Sequence, residues 1–168
     1  MPLDTNVILQ LAATLTKALD LGTGTLPLGY KQEFAWPDGT GADKADLVWH
    51  DQRQLAASAN EELDLAGVLT DAFGTTLTFA KVTALVVFAK KTNTNNVIVG
   101  GAAANALATM FSDASDKAVV RPGGLVAFIA RDTTAYAVTA GTGDKLKIEN
   151  SAGGSVVDYE IVIVGRSA

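Results

Sequence analysis

The sequence predicts an all-β fold: a β-sandwich, jelly-roll-like in form, with an N-terminal arm and one short helix. Three observations lead there. Between residues 78 and 164, short runs rich in Val, Ile and Phe recur at close spacing. Clusters of Gly, Asn and Asp separate the runs, and apolar and polar residues alternate within them. Short alternating strands punctuated by turn residues are the signature of sandwiches and barrels. A chain of 168 residues makes one domain, or one domain with an arm. Folding at this size buries roughly two-thirds of the surface of the unfolded chain.

Taken in order, the chain divides into an arm or added strands (residues 1–36), an exposed loop (37–46) and a sandwich domain (47–168). In the first section Val7, Leu11, Leu15, Ala18 and Leu19 follow helical spacing, which suits an amphipathic helix over residues 5–19. An internal similarity suits a strand instead. Residues 11–22 align without gaps to residues 55–66, with six of twelve positions identical. In the second copy Glu61 to Leu65 alternate as a strand that ends at Gly67, so a shared fold would make residues 15–21 extended. Both readings stand on the sequence, and so does chance similarity in an Ala/Leu-rich chain. The loop holds one Pro, two Gly and three Asp in ten residues, a composition for turns and for a hinge.

The sandwich strands follow from alternation. Val157, Tyr159, Ile161 and Ile163 form one apolar face, while Asp158 and Glu160 point the other way before Val162 and Val164. In the stretch 145–149, Leu146 and Ile148 face inward and Lys145, Lys147 and Glu149 outward. The turn-forming residues 150–154 then predict a hairpin with the strand from Val156 onward. Arg121-Pro122-Gly123-Gly124 reads as a turn entering a strand over residues 125–130. The Ala-rich stretch 102–111 has good helix formers, with Leu107, Met110 and Phe111 on one face.

Composition narrows the function. Hydrophobic residues make up 48% and charged residues 18%, with 13 basic residues scattered among 18 acidic ones and a net charge of -5. Nucleic acid is therefore not an expected partner, since phosphate binding needs clustered Lys and Arg. No run of apolar residues is long enough to span a membrane. Met1-Pro2-Leu3-Asp4 lacks the basic region of a signal peptide, and the lack of Cys fits synthesis in a reducing cytoplasm. The absence of Cys excludes disulfides, thiolate metal sites and Cys nucleophiles.

The candidate chemistry is thin. His50 is the single histidine, and no Gly-x-Ser-x-Gly elbow accompanies it. One imidazole does not build a multi-histidine zinc site, so His50 reads as a residue at a strand edge. Trp49 reads as a core residue or an interface anchor. Gly141-Thr142-Gly143-Asp144 and Gly22-Thr23-Gly24 lack the Lys-Ser/Thr of a phosphate loop. Gly100-Gly101 could present an anion site only if a helix followed. The Asn93 to Asn96 cluster and Asp113/Asp116 do not match calcium-loop spacing. Glu61/Glu62 and Asp158/Glu160 lie on solvated strand faces. The expectation is no catalytic, cofactor or metal residues, and no enzyme.

Several stretches carry a family resemblance. They are the run from Trp49-His50-Asp51 to Ala72-Phe73-Gly74, then Asn95-Asn96-Val97-Ile98-Val99-Gly100-Gly101, Val120-Arg121-Pro122-Gly123-Gly124 and Ala137 to Ile148. Over residues 47–165 the chain resembles small structural proteins from the virions of tailed bacteriophages. The N-terminal section, with Leu19-Asp20-Leu21-Gly22, is similar to capsid decoration (cement) proteins. The resemblance implies a virion component without giving its place; the expectation drawn from decoration proteins is a homotrimer on the outer capsid surface that binds the major capsid protein and staples neighbouring subunits. The contact residues expected are Leu11, Leu15 and Leu19 in the arm, with Trp36, Trp49 and His50 near the loop. Two alternatives remain: a tail, neck or fibre-base protein, and a carbohydrate-binding sandwich module.

Overall fold

The computed structural model describes residues 2–168. The protein is all-β, and the thirteen strands of the described residues resolve into a sandwich body, a small hairpin and a long projecting ribbon. The body uses eight strands: β3 (Leu47–Leu55), β4 (Asn60–Asp64), β7 (Lys81–Ala89), β8 (Val97–Gly100), β9 (Lys117–Val120), β10 (Leu125–Ile129), β12 (Lys145–Asn150) and β13 (Val157–Arg166). Within this set the first strand pairs with the eighth, the second with the seventh, the third with the sixth and the fourth with the fifth, all antiparallel. That is one long four-layered hairpin wrapped into two sheets, the pairing of a jelly roll. One sheet runs β10-β7-β13-β3, with the short β11 (Tyr136–Ala137) added beside β7. The other runs β4-β12-β8-β9. A separate hairpin, β5 (Ala66–Thr70) and β6 (Thr76–Thr78), stands beside them.

The core follows from strand alternation. Val157, Tyr159, Ile161 and Ile163 of the central β13 are all buried, and they meet Leu63, Leu146, Ile148, Val97, Val99 and Val120 from the opposite sheet in one cluster. Asp158 and Glu160 point to the outer side as expected, whereas Val162 on that side stays exposed and Val164 is buried. Near the end of β13 a bulge shifts the register at Val164/Gly165. Gly165 is needed there: a Cβ would collide with the Lys81 carbonyl oxygen and meet the Phe79 ring at 2.6 Å.

Three local expectations are corrected. Residues 102–111 form no α-helix, only a 3-10 turn at Ala108–Met110. Gly100 and Gly101 adopt φ values of +102° and +70°, and Leu107 and Met110 are buried from irregular backbone instead of from a helical face. The stretch 145–149 and the strand after Val156 do not form a hairpin. As seventh and eighth strands of the wrap they belong to opposite sheets, and the intervening residues turn a corner. Asn150, buried at that corner, donates to the carbonyls of Ala56 (2.9 Å) and Ser155 (2.8 Å). The internal similarity is structural only in part: residues 60–63 are extended in β4 and the aligned residues 16–19 are extended too, but the first copy lies within one hairpin while the second turns from β3 into β4.

The first section is extended throughout. β1 (Thr5–Leu19) and β2 (Gly22–Trp36) pair without a break over fifteen rows, closed by the two-residue turn Asp20-Leu21. At the strand rise this ribbon is about 50 Å long. Pro27 is accommodated because both strands are edges. The ribbon meets the body in a second, smaller core. Trp36 is fully buried there with Ala45, Ala84 and Val164, and Leu3, Val7, Phe34, Val48 and Ile129 pack around them. The loop 37–46 is exposed over most of its length, but it is pinned and does not act as a free hinge. The buried Arg166 donates to the Gly41 carbonyl (2.8 Å), Arg131 pairs with Asp43 (2.7 Å), and Asp38 accepts the Leu3 N–H (3.0 Å).

The steric demand at the β13 bulge is testable. Gly165→Ala should cost about 1–3 kcal/mol, by overpacking against backbone that has nowhere to move. Gly22→Ala, at a position with open space around it, should change stability by no more than about 0.5 kcal/mol. Paired denaturant titrations check both, and equal losses would remove the role given to Gly165.

Candidate interaction surface

The chain offers surfaces, and their chemistry is sharply divided. Opposed residues of an antiparallel pair share a face, so the register sorts the ribbon into two sides. One side carries the rows Val7–Phe34, Leu9–Gln32, Leu11–Tyr30, Ala13–Leu28, Leu15–Leu26, Lys17–Gly24 and Leu19–Gly22. The other carries Asn6, Gln10, Thr14 and Thr16 with Lys31, Glu33 and Thr25, and Ile8 as its large apolar exception. The first side is apolar and, beyond the Val7–Phe34 row, uncovered: its leucines and Tyr30 are between 49% and 69% exposed. On the polar side Asn6 donates to Glu33 (2.7 Å) and Lys31 pairs with it (3.2 Å), which together hold the Glu33 carboxyl below the ordinary range.

The apolar side of the ribbon does not end at its base. Trp36, Phe34 and Val7 belong to the same side, and they rest on the outer face of the five-stranded sheet. There the register builds cross-sheet rows: Val48–Val164–Ala84–Ile129 lies beneath Trp36, and His50–Val162–Val86–Ala127 lies next to it in the open. The following row is Gln52–Glu160–Phe88–Leu125. Val162 is 39% and Leu125 61% exposed, so the apolar surface continues from ribbon to sheet.

The opposite face of the molecule is ionic. On the outer side of the four-stranded sheet Lys145 pairs with Glu62 (3.1 Å), Lys147 with Glu149 (2.6 Å) and Lys117 with Glu149 (3.5 Å). The hydrogen bond from Lys147 is the main reason the Glu149 carboxyl is held below its usual range. Glu62 likewise raises the Lys145 ammonium. Such a face is comfortable in water and needs no partner.

The residues expected to make contacts divide accordingly. Leu11, Leu15 and Leu19 share the uncovered apolar face of the ribbon. His50 stands exposed in β3, an edge strand, on the outer sheet face beside Val162. Trp36 and Trp49 are corrections. Trp36 is 0% and Trp49 6% exposed, so both are used up inside the chain and neither can anchor a partner. Trp49 instead lies under the Arg53 guanidinium, 5.5 Å from its ring centroid. Tyr159 is buried as well, and the exposed aromatics Tyr30 and Phe73 lie apart, on the ribbon and in the turn between β5 and β6.

One polar cluster is built into the rim of the core. Arg53 pairs with Asp51 (2.9 Å) and with Glu61, and the Tyr159 hydroxyl donates to Glu61 (2.6 Å). Burial, then the hydrogen bond and charge of Glu61, push the Tyr159 hydroxyl far above its ordinary range. Each member already has its partner in the cluster, which is therefore structural. Elsewhere Asn93 exchanges hydrogen bonds with the backbone of Asp158, and Asp113 closes a turn onto Ser115. Among the described residues no three His, Asp or Glu side chains converge to hold a metal ion, and no helix is long and apolar enough to cross a membrane. No family model, curated protein or solved structure matches the chain.

The cluster makes a prediction about pH. The Tyr159 pKa is raised in the folded state, so its contribution to stability is complete below the unfolded value near 10 and falls as pH rises above it. Tyr159→Phe should cost about 1 kcal/mol at neutral pH, from the lost bond to Glu61. The variant should also lose less stability than the wild type between pH 9 and 11, a range set about the ordinary tyrosine pKa. Denaturant midpoints across that range decide it, and parallel slopes would contradict the account.

Proposed function

We propose that the protein is a structural component of a tailed-phage virion that binds the outer surface of the capsid and joins neighbouring major capsid subunits. The observation that carries this reading is the ribbon: a folded arm about 50 Å long with one uncovered apolar side, standing on a compact jelly-roll body. A free monomer has no use for an exposed apolar patch of that size, whereas a protein whose final state is an assembly does. The outer face of the five-stranded sheet, with Val162, Ala127 and Leu125, is the side turned to the capsid. The ionic face of the other sheet is turned to solvent. The ribbon then extends attachment beyond the footprint of one body, and the many repeated sites of a lattice make weak contacts cumulative.

Co-sedimentation with capsids that lack the protein tests the reading. Saturable binding at a fixed ratio to the major capsid subunit is expected, and Val162→Glu should weaken it while leaving the protein folded. A ribbon shortened by replacing residues 8–33 with Asn-Gly keeps Val7, Phe34 and Trp36 in place, and should also attach less tightly. Absence of capsid binding, with attachment to tails or formation of wide rings, would move the protein to the tail, neck or fibre base.

A further inference from the structure

Beyond the Val7–Phe34 row no described residue covers the apolar side of the ribbon, and two-stranded ribbons are only marginally stable alone in water. Each half-exposed leucine or tyrosine on it offers about 100 Å², so the face as a whole offers roughly 700 Å². That exceeds the patches normal for a monomer and approaches the ~800 Å² each partner contributes to a standard interface. We propose that this face packs against the same face of a second copy, the two ribbons antiparallel. The inference goes beyond capsid attachment, and its test contains no capsid.

The register identifies the occupant. Between the base and the tip, only Gln32 and Lys17 interrupt the apolar rows, one toward each end. A two-fold axis through the Ala13–Leu28 row places Leu11–Tyr30 on Leu15–Leu26, and Leu9–Gln32 on Lys17–Gly24. Apolar rows then meet apolar rows, and the Lys17 ammonium meets the Gln32 side-chain carbonyl. Gly24, opposite Lys17, leaves room for that contact. The tip row Leu19–Gly22 reaches the half-buried Val7–Phe34 row of the partner. The face is thus complementary to itself, as a closed two-fold interface requires. A parallel pair, or three ribbons around a three-fold axis as in the expected trimer, instead brings Lys17 against Lys17.

Sedimentation equilibrium of the full chain across micromolar concentrations tests this. A dimer is expected for the wild type, and a monomer or a trimer overturns the proposal. Leu15→Asp combined with Leu28→Asp should give a monomer whose body melts as before; a dimer from this variant overturns it. Because aspartates could instead unfold the ribbon, a charge exchange provides a second reading. Gln32→Lys sets two ammonium groups face to face and should weaken the dimer about tenfold or more. Adding Lys17→Glu should restore it. A Gln32→Lys protein that dimerises like the wild type, or one that Lys17→Glu fails to rescue, overturns the antiparallel register.

Discussion

The outer side of β13 has to change character within ten residues, and the rest of the molecule is arranged around that requirement. Its inner side is uniformly apolar and closes the sandwich. Its outer side begins wet, at Asp158 and Glu160, and ends dry, at Val164. Two sheets cannot satisfy the dry end, because both of their inner faces are already committed to each other. Trp36 does so from outside, pressed onto Val164 and Ala84. Trp36 is also the last residue of β2, so the contact that completes the sheet is the one that roots the ribbon. The bulge at Gly165 and the Arg166 bonds to Gly41 and Asp132 fix the same corner from the other side.

This arrangement gives the molecule two unlike sides. Ion pairs cross the four-stranded sheet in a lattice of Lys and Glu that water supports. Across the body, Val162, Ala127 and Leu125 lie beside the root of the ribbon, whose leucines carry the apolar side onward with Gln32 and Lys17 as its breaks. Among the described residues no cluster of three metal-ligating side chains lies on either side. His50, the sole imidazole, looks across β13 at Val162, and the one dense polar cluster, around Glu61, is closed on itself.

The sandwich was legible because alternation in strands such as β13 reports directly on which side is buried. The ribbon was legible only in part, for a numerical reason. Val7, Leu11, Leu15 and Leu19 are spaced by four, and four is both about one helical turn and two strand periods. The resolving pattern lies in β2, where Leu26, Leu28, Tyr30, Phe34 and Trp36 all share one parity and answer β1 row by row. The corner at Asn150 looked like a hairpin turn because strands that return in the same sheet and strands that cross to the other are both half-apolar. Nothing local separates the two. The helix expected over residues 102–111 rested on alanine propensity, which loses to the positive-φ backbone at Gly100 and Gly101 and to the burial of Leu107 and Met110. Trp36 and Trp49 misled as surface anchors for a similar reason: large aromatics serve cores and interfaces alike, and only the fold decides which.

The root of the ribbon also has a mechanical meaning. Both of its legs are fastened, β1 through Leu3 and its bond to Asp38, and β2 through Trp36 and the pinned loop that follows. Tension applied at the tip therefore arrives at β13 and β7, the interior strands of their sheet, with Val48 of β3 and Ile129 of β10 beside them. Pulled along their length, antiparallel ladders carry load on many hydrogen bonds at once, in shear. Built this way, the arm is a strut that hands strain to the middle of a sheet.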